Sequence, residues 1–574
     1  METRRPSSAP RYAAPAAGQR SRRLTLDANL LAATLPAILI LLPLLGLALA
    51  WLRLEAAAWL HLWNTLLPEM LLNTALLMLG VGTATLVMGS SLAWLVTNYD
   101  FPGARAIEWL LVLPMAIPGY ILGYVLMALF DYAGPIQTQL RAWFGPSFEA
   151  PEFRSLPGAV LALSLSLYPY VYLLARTGFR EQSAAQRDAA RVHGYGRWGV
   201  FFKVALPLAR PSLAAGTALA LMETLTDFAV VRYFNTVTLS EGVVRLWIGQ
   251  MDRDAAVQLS SALMLIAMSV VLVERRLRRH ARYYQLGGQS RPIERVRLRG
   301  WRAVAASALP LALLTLAFGL PVIQLVSWAI PEVVASAPGT LDAVFGPYLL
   351  NTVGLAAGSA CLVSAVALVM AYATRAYGPP SAAKARARLL ARMATLGYAM
   401  PGAVVALGVL LLLAPLNEVA LNLTGGAMLL SASLIGLMYA YLVRFLAIGF
   451  GNVEASLEKV TPSMEMAARS LGAGALRVLW RVHLPLIRTG VFAASLLVFV
   501  DTFKELPATM FLRPFGMETL SVWTYMLASE SAWQAAALPS LVIVLVSAVA
   551  TLLLMRLSRS GAHSNGRAGL EGRL

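Results

Sequence analysis

Long apolar runs separated by short polar segments divide the 574-residue chain. Windows of about 20 apolar residues are the length of a membrane-crossing helix. Twelve such windows fall near 28–52, 70–97, 107–130, 157–177, 212–232, 255–273, 303–329, 348–373, 391–414, 426–449, 490–511 and 536–556. Strands of a membrane barrel would give alternating segments of about ten residues instead. The first run exceeds the roughly 7–15 apolar residues of a cleaved leader, so it reads as a retained span. The pattern predicts an all-α integral membrane protein.

Composition agrees. The chain is 58% hydrophobic and 13% charged, against about 25% charged in ordinary globular proteins. The formal net charge of +18 admits nucleic acid or lipid as partners, but its distribution follows topology. Lys and Arg mark cytoplasmic loops. With the tail carrying Arg4, Arg5, Arg11, Arg20, Arg22 and Arg23 inside, twelve crossings put the two most basic segments, 274–302 and 374–388, inside as well. Both termini are then cytoplasmic, and membrane lipid rather than nucleic acid is the expected surroundings. The single cysteine, Cys361, supports neither a disulfide nor a thiolate cluster, and core packing is its expected role.

The second half of the chain repeats the first. "LLNTALL" around Asn73 matches "LLNTVGL" around Asn351, 278 positions on. The same offset relates Gly194 to Gly472, Pro207 to Pro485, and "ETLTDFAV" from Glu223 to "DTFKELPA" from Asp501. "IPGY" at Pro118 and "MPGA" at Pro401 lie 283 apart, as loop changes would allow. Six spans per half give two parallel repeats, an arrangement that puts a substrate path near a pseudo-twofold axis normal to the membrane. The expected divisions are a basic tail (1–27), a first half (28–273), a basic linker (274–302), a second half (303–558) and a cytoplasmic tail (559–574).

One polar hairpin recurs on the cytoplasmic side, near 181–211 and 454–489. Asp188, Ala189 and Ala190 precede Gly194, then Leu206-Pro207; Ala467 and Ala468 precede Gly472, then Leu484-Pro485. Alanine favours helix, glycine can end it in a left-handed cap, and Leu-Pro is expected to break the amphipathic stretch before the next span. An exposed hairpin of this kind suits docking into a groove of another protein.

The spacing Ala-Ala-x3-Gly-x9-hydrophobic-x-Leu-Pro resembles the EAA loop of permease subunits of binding-protein-dependent ABC importers, and the resemblance covers nearly the whole chain. It implies a type I permease fold in a bacterial inner membrane and alternating access. It also implies a periplasmic substrate-binding protein and two copies of a cytoplasmic ATPase. The family's glutamate is Asp188 in the first copy; in the second it is Met466, with Glu465 one place earlier. None of the four lysines is followed by Ser or Thr, so a phosphate-binding loop is absent. No cofactor is expected on this chain; ATP and Mg belong to the partner. No catalytic signature stands out, which points to a transport subunit rather than an enzyme.

Charged residues inside apolar spans are functional candidates by default. Glu223 and Asp227 lie four apart, as do Asp501 and Glu505 in the second copy. Carboxylates suit hard cations. Direct cargo contact and a structural or gating role, with Arg232, Lys504 or Arg513 as ion partners or with helix capping near Pro507, both remain open. The wording of these segments resembles fused permeases for ferric iron; thiamine and phosphonate permeases are related, and a gradient-driven cation carrier is the rival reading. Tyr120, Tyr124, Tyr168, Tyr170 and Tyr172 offer either phenol oxygens or interfacial packing. His61, His193, His280, His483 and His563 show no metal-ligand spacing.

Overall fold

The computed structural model describes residues 19–49, 52, 56–148, 151–279, 294–335, 340–375, 382–424 and 430–571. Most of the basic tail before residue 19, and linker residues 280–293 with His280, lie outside them. Among the described residues, eleven helices are long and apolar enough to cross a membrane. Arg197–Leu208 and Arg210–Thr226, bent by 71°, make a twelfth span if counted together. Of strands, the described residues hold one two-residue parallel pair, Tyr99–Asp100 with Val296–Arg297.

The repeat holds at atomic level. Asn73 Nδ2 donates to the Val237 carbonyl at 3.0 Å and Asn351 Nδ2 to that of Glu518 at 3.1 Å. Thr74 Oγ1 accepts from Leu239 N at 3.0 Å, and Thr352 Oγ1 from Leu520 N at 2.9 Å. Small residues bring the helices of the first half together. A Cβ on Gly89 would lie 2.7 Å from Val171 Cβ, and one on Gly216 would lie 2.7 Å from Val171 Cα. Close approach at small residues is how helices associate where lipid offers no hydrophobic drive.

Two packing features were not anticipated by the hydropathy pattern. The first helix of each half packs across the repeat: Leu30–Leu49 lies against Thr340–Arg375, Ala382–Ala394 and Gly402–Thr424, and Tyr439 Oη donates to the Leu39 carbonyl. Reciprocally, Ser307 Oγ donates to the Pro102 carbonyl at 2.8 Å and Trp328 stacks on Tyr124 at 6.5 Å. Both apolar cores therefore mix residues of the two halves. Cys361, expected in the core, is exposed on the outside of Thr340–Arg375.

Both hairpins close with the same backbone device. Helix Ala184–Val192 ends where Gly194 N donates to Arg191 O and Tyr195 N to Ala190 O; helix Pro462–Ser470 ends where Gly472 N donates to Arg469 O and Ala473 N to Ala468 O. This is the Schellman pattern, which needs a left-handed residue, and Gly194 and Gly472 have φ of 81° and 82°. Leu-Pro does not break the segment that contains it. A π turn at Phe201–Ala205 and again at Leu479–His483 precedes each Leu-Pro. The widened turn removes the clash of a proline ring with the carbonyl four residues back. Helix Leu484–Phe503 runs through Pro485, and in the first half the bend falls later, between Leu208 and Arg210.

The end of the linker is anchored by one buried acid. Glu108, on the short helix Ala104–Leu110 that precedes the span Gly119–Phe144, accepts from Arg176 Nε at 2.7 Å and from Arg295 Nη2 at 2.7 Å, and pairs with Arg180. Burial raises the Glu108 pKa, but the three arginines outweigh it and leave the carboxyl below its ordinary value. Its stabilising contribution is therefore present above the unfolded value and lost as pH falls through the lower folded value. Glu108→Gln is expected to cost about 3 kcal/mol, as for removal of one partner of a buried charge cluster, read as a lower unfolding midpoint in detergent. An unchanged midpoint would contradict the anchoring role.

Candidate functional site: a carboxylate-lined cavity between the halves

Four breaks in helical spans meet at the centre. The stretch expected to cross as 107–130 is interrupted at Pro118, after the 3₁₀ turn Leu113–Ala116, and the stretch expected as 391–414 is interrupted at Pro401, after Thr395–Ala399. The spans expected over 212–232 and 490–511 stop at Thr226 and Phe503, and give way to the short helices Ala229–Tyr233 and Pro507–Leu512. Asp227 and Glu505 stand in the two gaps rather than on the helix face their spacing suggested.

Each carboxylate repairs the break it occupies. Asp227 Oδ1 accepts from Val230 N at 2.8 Å; Glu505 Oε1 accepts from Ala508 N at 2.8 Å and Oε2 from Thr509 N at 2.9 Å. The main chain is tied by equivalent serines: Ser240 Oγ donates to Asp227 O at 3.1 Å and Ser521 Oγ to Glu505 O at 2.7 Å. A glycine makes room for each acid. A Cβ on Gly119 would lie 2.6 Å from Asp227 Oδ2, and one on Gly402 would lie 2.9 Å from Glu505 Oε1. Both glycines begin helices, whose positive N-terminal ends favour an anion.

All four sequence candidates, Glu223, Asp227, Asp501 and Glu505, line one cavity of about 100 Å³, together with Lys504, Arg444, Tyr120, Tyr170 and Tyr398. Lys504 pairs with Asp501 at 3.2 Å and Arg444 with Glu505 at 3.2 Å. The Glu223 carboxylate forms no hydrogen bond or close ion pair among the described residues, although Arg444 and Lys504 act on it electrostatically. The lining thus holds four carboxyl groups and two basic groups, both from the second half. Arg232 does not pair with these acids, and Arg513 pairs with Glu518 at 3.0 Å. No group of three or more His, Cys, Asp or Glu is disposed to hold a metal ion among the described residues.

Arg444 was missed by sequence reasoning, although a lone cation within "LMYAYLVRFLAIGF" is itself a signal. Of the five tyrosines considered, Tyr168 donates to Leu111 O at 3.0 Å, Tyr172 to Glu108 O at 2.7 Å, and Tyr124 pairs with Ser540 at 2.8 Å. Those three are structural; Tyr120 and Tyr170 face the cavity.

The hairpins present apolar tips. Val192, Trp198 and Phe202 are exposed on the first, and Met466, Leu471 and Trp480 on the second. Asp188 is exposed beside Arg191 at 3.7 Å. Glu465 instead turns inward, 2.6 Å from Arg469 and 3.8 Å from both Arg375 and the buried His483.

Residues 85–279 match the family described as the binding-protein-dependent transport system inner membrane component. The Fe(3+)-transport system permease protein FbpB 2 of Haemophilus influenzae is 25% identical over 503 residues, 86% of this chain and 91% of its own length. The molybdenum transport system permease protein ModB of Escherichia coli is 34% identical over 25% of this chain and 62% of its own length. The sulfate transport system permease protein CysT of the same species is 27% identical over 34% and 69%, respectively.

The geometry separates the acids by role. Glu505→Ala is expected to lower stability by about 3 kcal/mol, because Arg444 loses its partner in a buried site. Glu223→Gln breaks no side-chain hydrogen bond and is expected to cost clearly less stability than Glu505→Ala. Thermal unfolding of both variants checks this; equal losses would contradict the division.

Proposed function

We propose that the chain is a permease of the binding-protein-dependent ABC importer kind, in a form with two fused halves, and that it passes ferric iron into the cytoplasm. The observation that carries the cargo is the excess of carboxylates in the central cavity. Molybdate and sulfate are oxyanions, and a cavity with four acids against two cations opposes their entry, whereas carboxylate oxygens suit a hard cation. The relative spanning nearly the whole chain is named for Fe(3+) transport, which supports the same reading.

The proposed machinery is built on the hairpins. Asp188, Ala189, Ala190, Gly194 and Pro207, and Glu465, Ala467, Ala468, Gly472 and Pro485, shape two cytoplasmic docking elements, one for each of two ATPase subunits. Their exposed Trp198, Phe202, Leu471 and Trp480 enter clefts of those subunits; apolar tips on a polar hairpin mark a protein contact. Helix Arg210–Thr226 joins the first hairpin to Asp227, and Leu484–Phe503 joins the second to the gap at Glu505. Closure of the ATPases on ATP favours one arrangement of the halves only as far as it binds that arrangement better. A periplasmic protein delivers the cargo at the opposite face.

The test is uptake in proteoliposomes holding the permease, its co-purifying ATPase and the loaded binding protein. Radiolabelled Fe(III), molybdate and sulfate are compared with and without ATP. ATP-dependent uptake of Fe(III) alone is expected. Uptake of an oxyanion without iron would overturn the cargo reading, and gradient-driven uptake without the ATPase would make the chain a secondary carrier.

A further inference from the structure

Beyond the central cavity, on the side away from the hairpins, lies a second cavity of about 360 Å³ lined by Arg232, Asn235, Glu241 and Arg245 among others. Between the two stand Tyr233 and Tyr525, with ring centroids 6.0 Å apart, and Phe228, which meets Tyr525 at 5.3 Å. Tyr525 is within electrostatic range of Arg232 and Glu241, and Tyr233 of Tyr120 and Asp227. Phe228 and Tyr120 line the central cavity, and Tyr233 directly follows Arg232, which lines the second.

Its hydroxyls are stranded. Tyr120, Tyr233 and Tyr525 are 4%, 6% and 3% exposed, and among the described residues none of the three hydroxyls has a hydrogen-bond partner of normal geometry, that of Tyr525 lying near Arg232 and Ser529. Buried polar groups are nearly always paired, and each exception calls for a cause. The repeat shows that the fold does not require them. By the registers of the flanking hydrogen bonds and the Pro-Gly steps, the mates of Tyr120, Tyr233 and Tyr525 are Ala403, Phe511 and Val244.

We propose that Tyr120, Tyr233 and Tyr525 line the cargo path between the second cavity and the central one, as phenol oxygen contacts for a hard cation or its hydration water. In the arrangement described the layer is shut and the hydroxyls have lost their partners; when the halves part, the passing cation supplies them. The polar lane has no counterpart across the repeat, because its mates are apolar. The proposal rests on the reading of the cargo as a cation.

The test compares wild type with the Tyr233→Phe/Tyr525→Phe double variant in the reconstituted complex, using radiolabelled Fe(III) on the binding protein. Uptake is expected to fall about tenfold, the effect of losing a hydrogen bond to a charged group. The unfolding midpoint and ATPase co-purification should hold, since only stranded hydroxyls are removed. Unchanged uptake overturns the proposal. A second arm labels Tyr525→Cys in a Cys361→Ser background with a membrane-impermeant thiol reagent; labelling should rise when loaded binding protein and ATP are added. If wild type carries no Fe(III), the cargo reading fails by itself. The labelling arm then decides the path, and unchanged labelling overturns it.

Discussion

Two interrupted helices, and the carboxylates that cap the short helices beyond the gaps, set the architecture. Within a bilayer, irregular backbone survives only where protein or a water-lined cavity satisfies its polar groups. Asp227 and Glu505 do this from the gaps themselves, aided by Ser240 and Ser521. A charge placed to mend a backbone must also be held in a polar centre, so the cavity, the glycines beside it and the partner Arg444 arise from the same need. The structural role and the proposed cargo role of the acids are thus divided between residues: Glu505 is committed to its break, whereas the Glu223 carboxylate makes no hydrogen bond among the described residues.

The same geometry ties the centre to the cytoplasmic face. Each hairpin leads directly into the helix that ends at the cavity, and the first helix of each half clasps the other half. One helix thus connects each hairpin to a gap carboxylate, and the exchanged helices tie the two halves together. The inward-facing Glu465 adds a local brace between its hairpin and Arg375, a tie that the exposed Asp188 does not make in the first half. The two hairpins are alike in backbone and unlike in anchoring.

Much of this was legible in the sequence, because a duplication preserves what the backbone demands. The offset of 278 found the paired asparagines, the left-handed glycines and the acids in the gaps. The repeat also hid what it did not keep. Arg444 corresponds to Ser166, and Arg176 and Arg180 of the first half correspond to Glu454 and Glu458, of which Glu454 interacts with Arg388 and Arg392 in the second. Opposite charges serve the same join with signs reversed, so register alone could not reveal them. Hydropathy smoothed over the breaks at Pro118 and Pro401, since apolar residues continue on both sides. The exchanged first helices left no trace because packing partners are not written in periodicity. Leu-Pro misled in the other direction: one extra residue in the preceding turn accommodates the ring.

The most direct measurement is a cryo-EM map of the whole complex trapped with cargo. The account predicts cation density in the central cavity in contact with Glu223, with Asp227 and Glu505 still capping their short helices. Cargo held by Lys504 and Arg444 as an oxyanion, or density along a route that leaves this cavity empty, would contradict it.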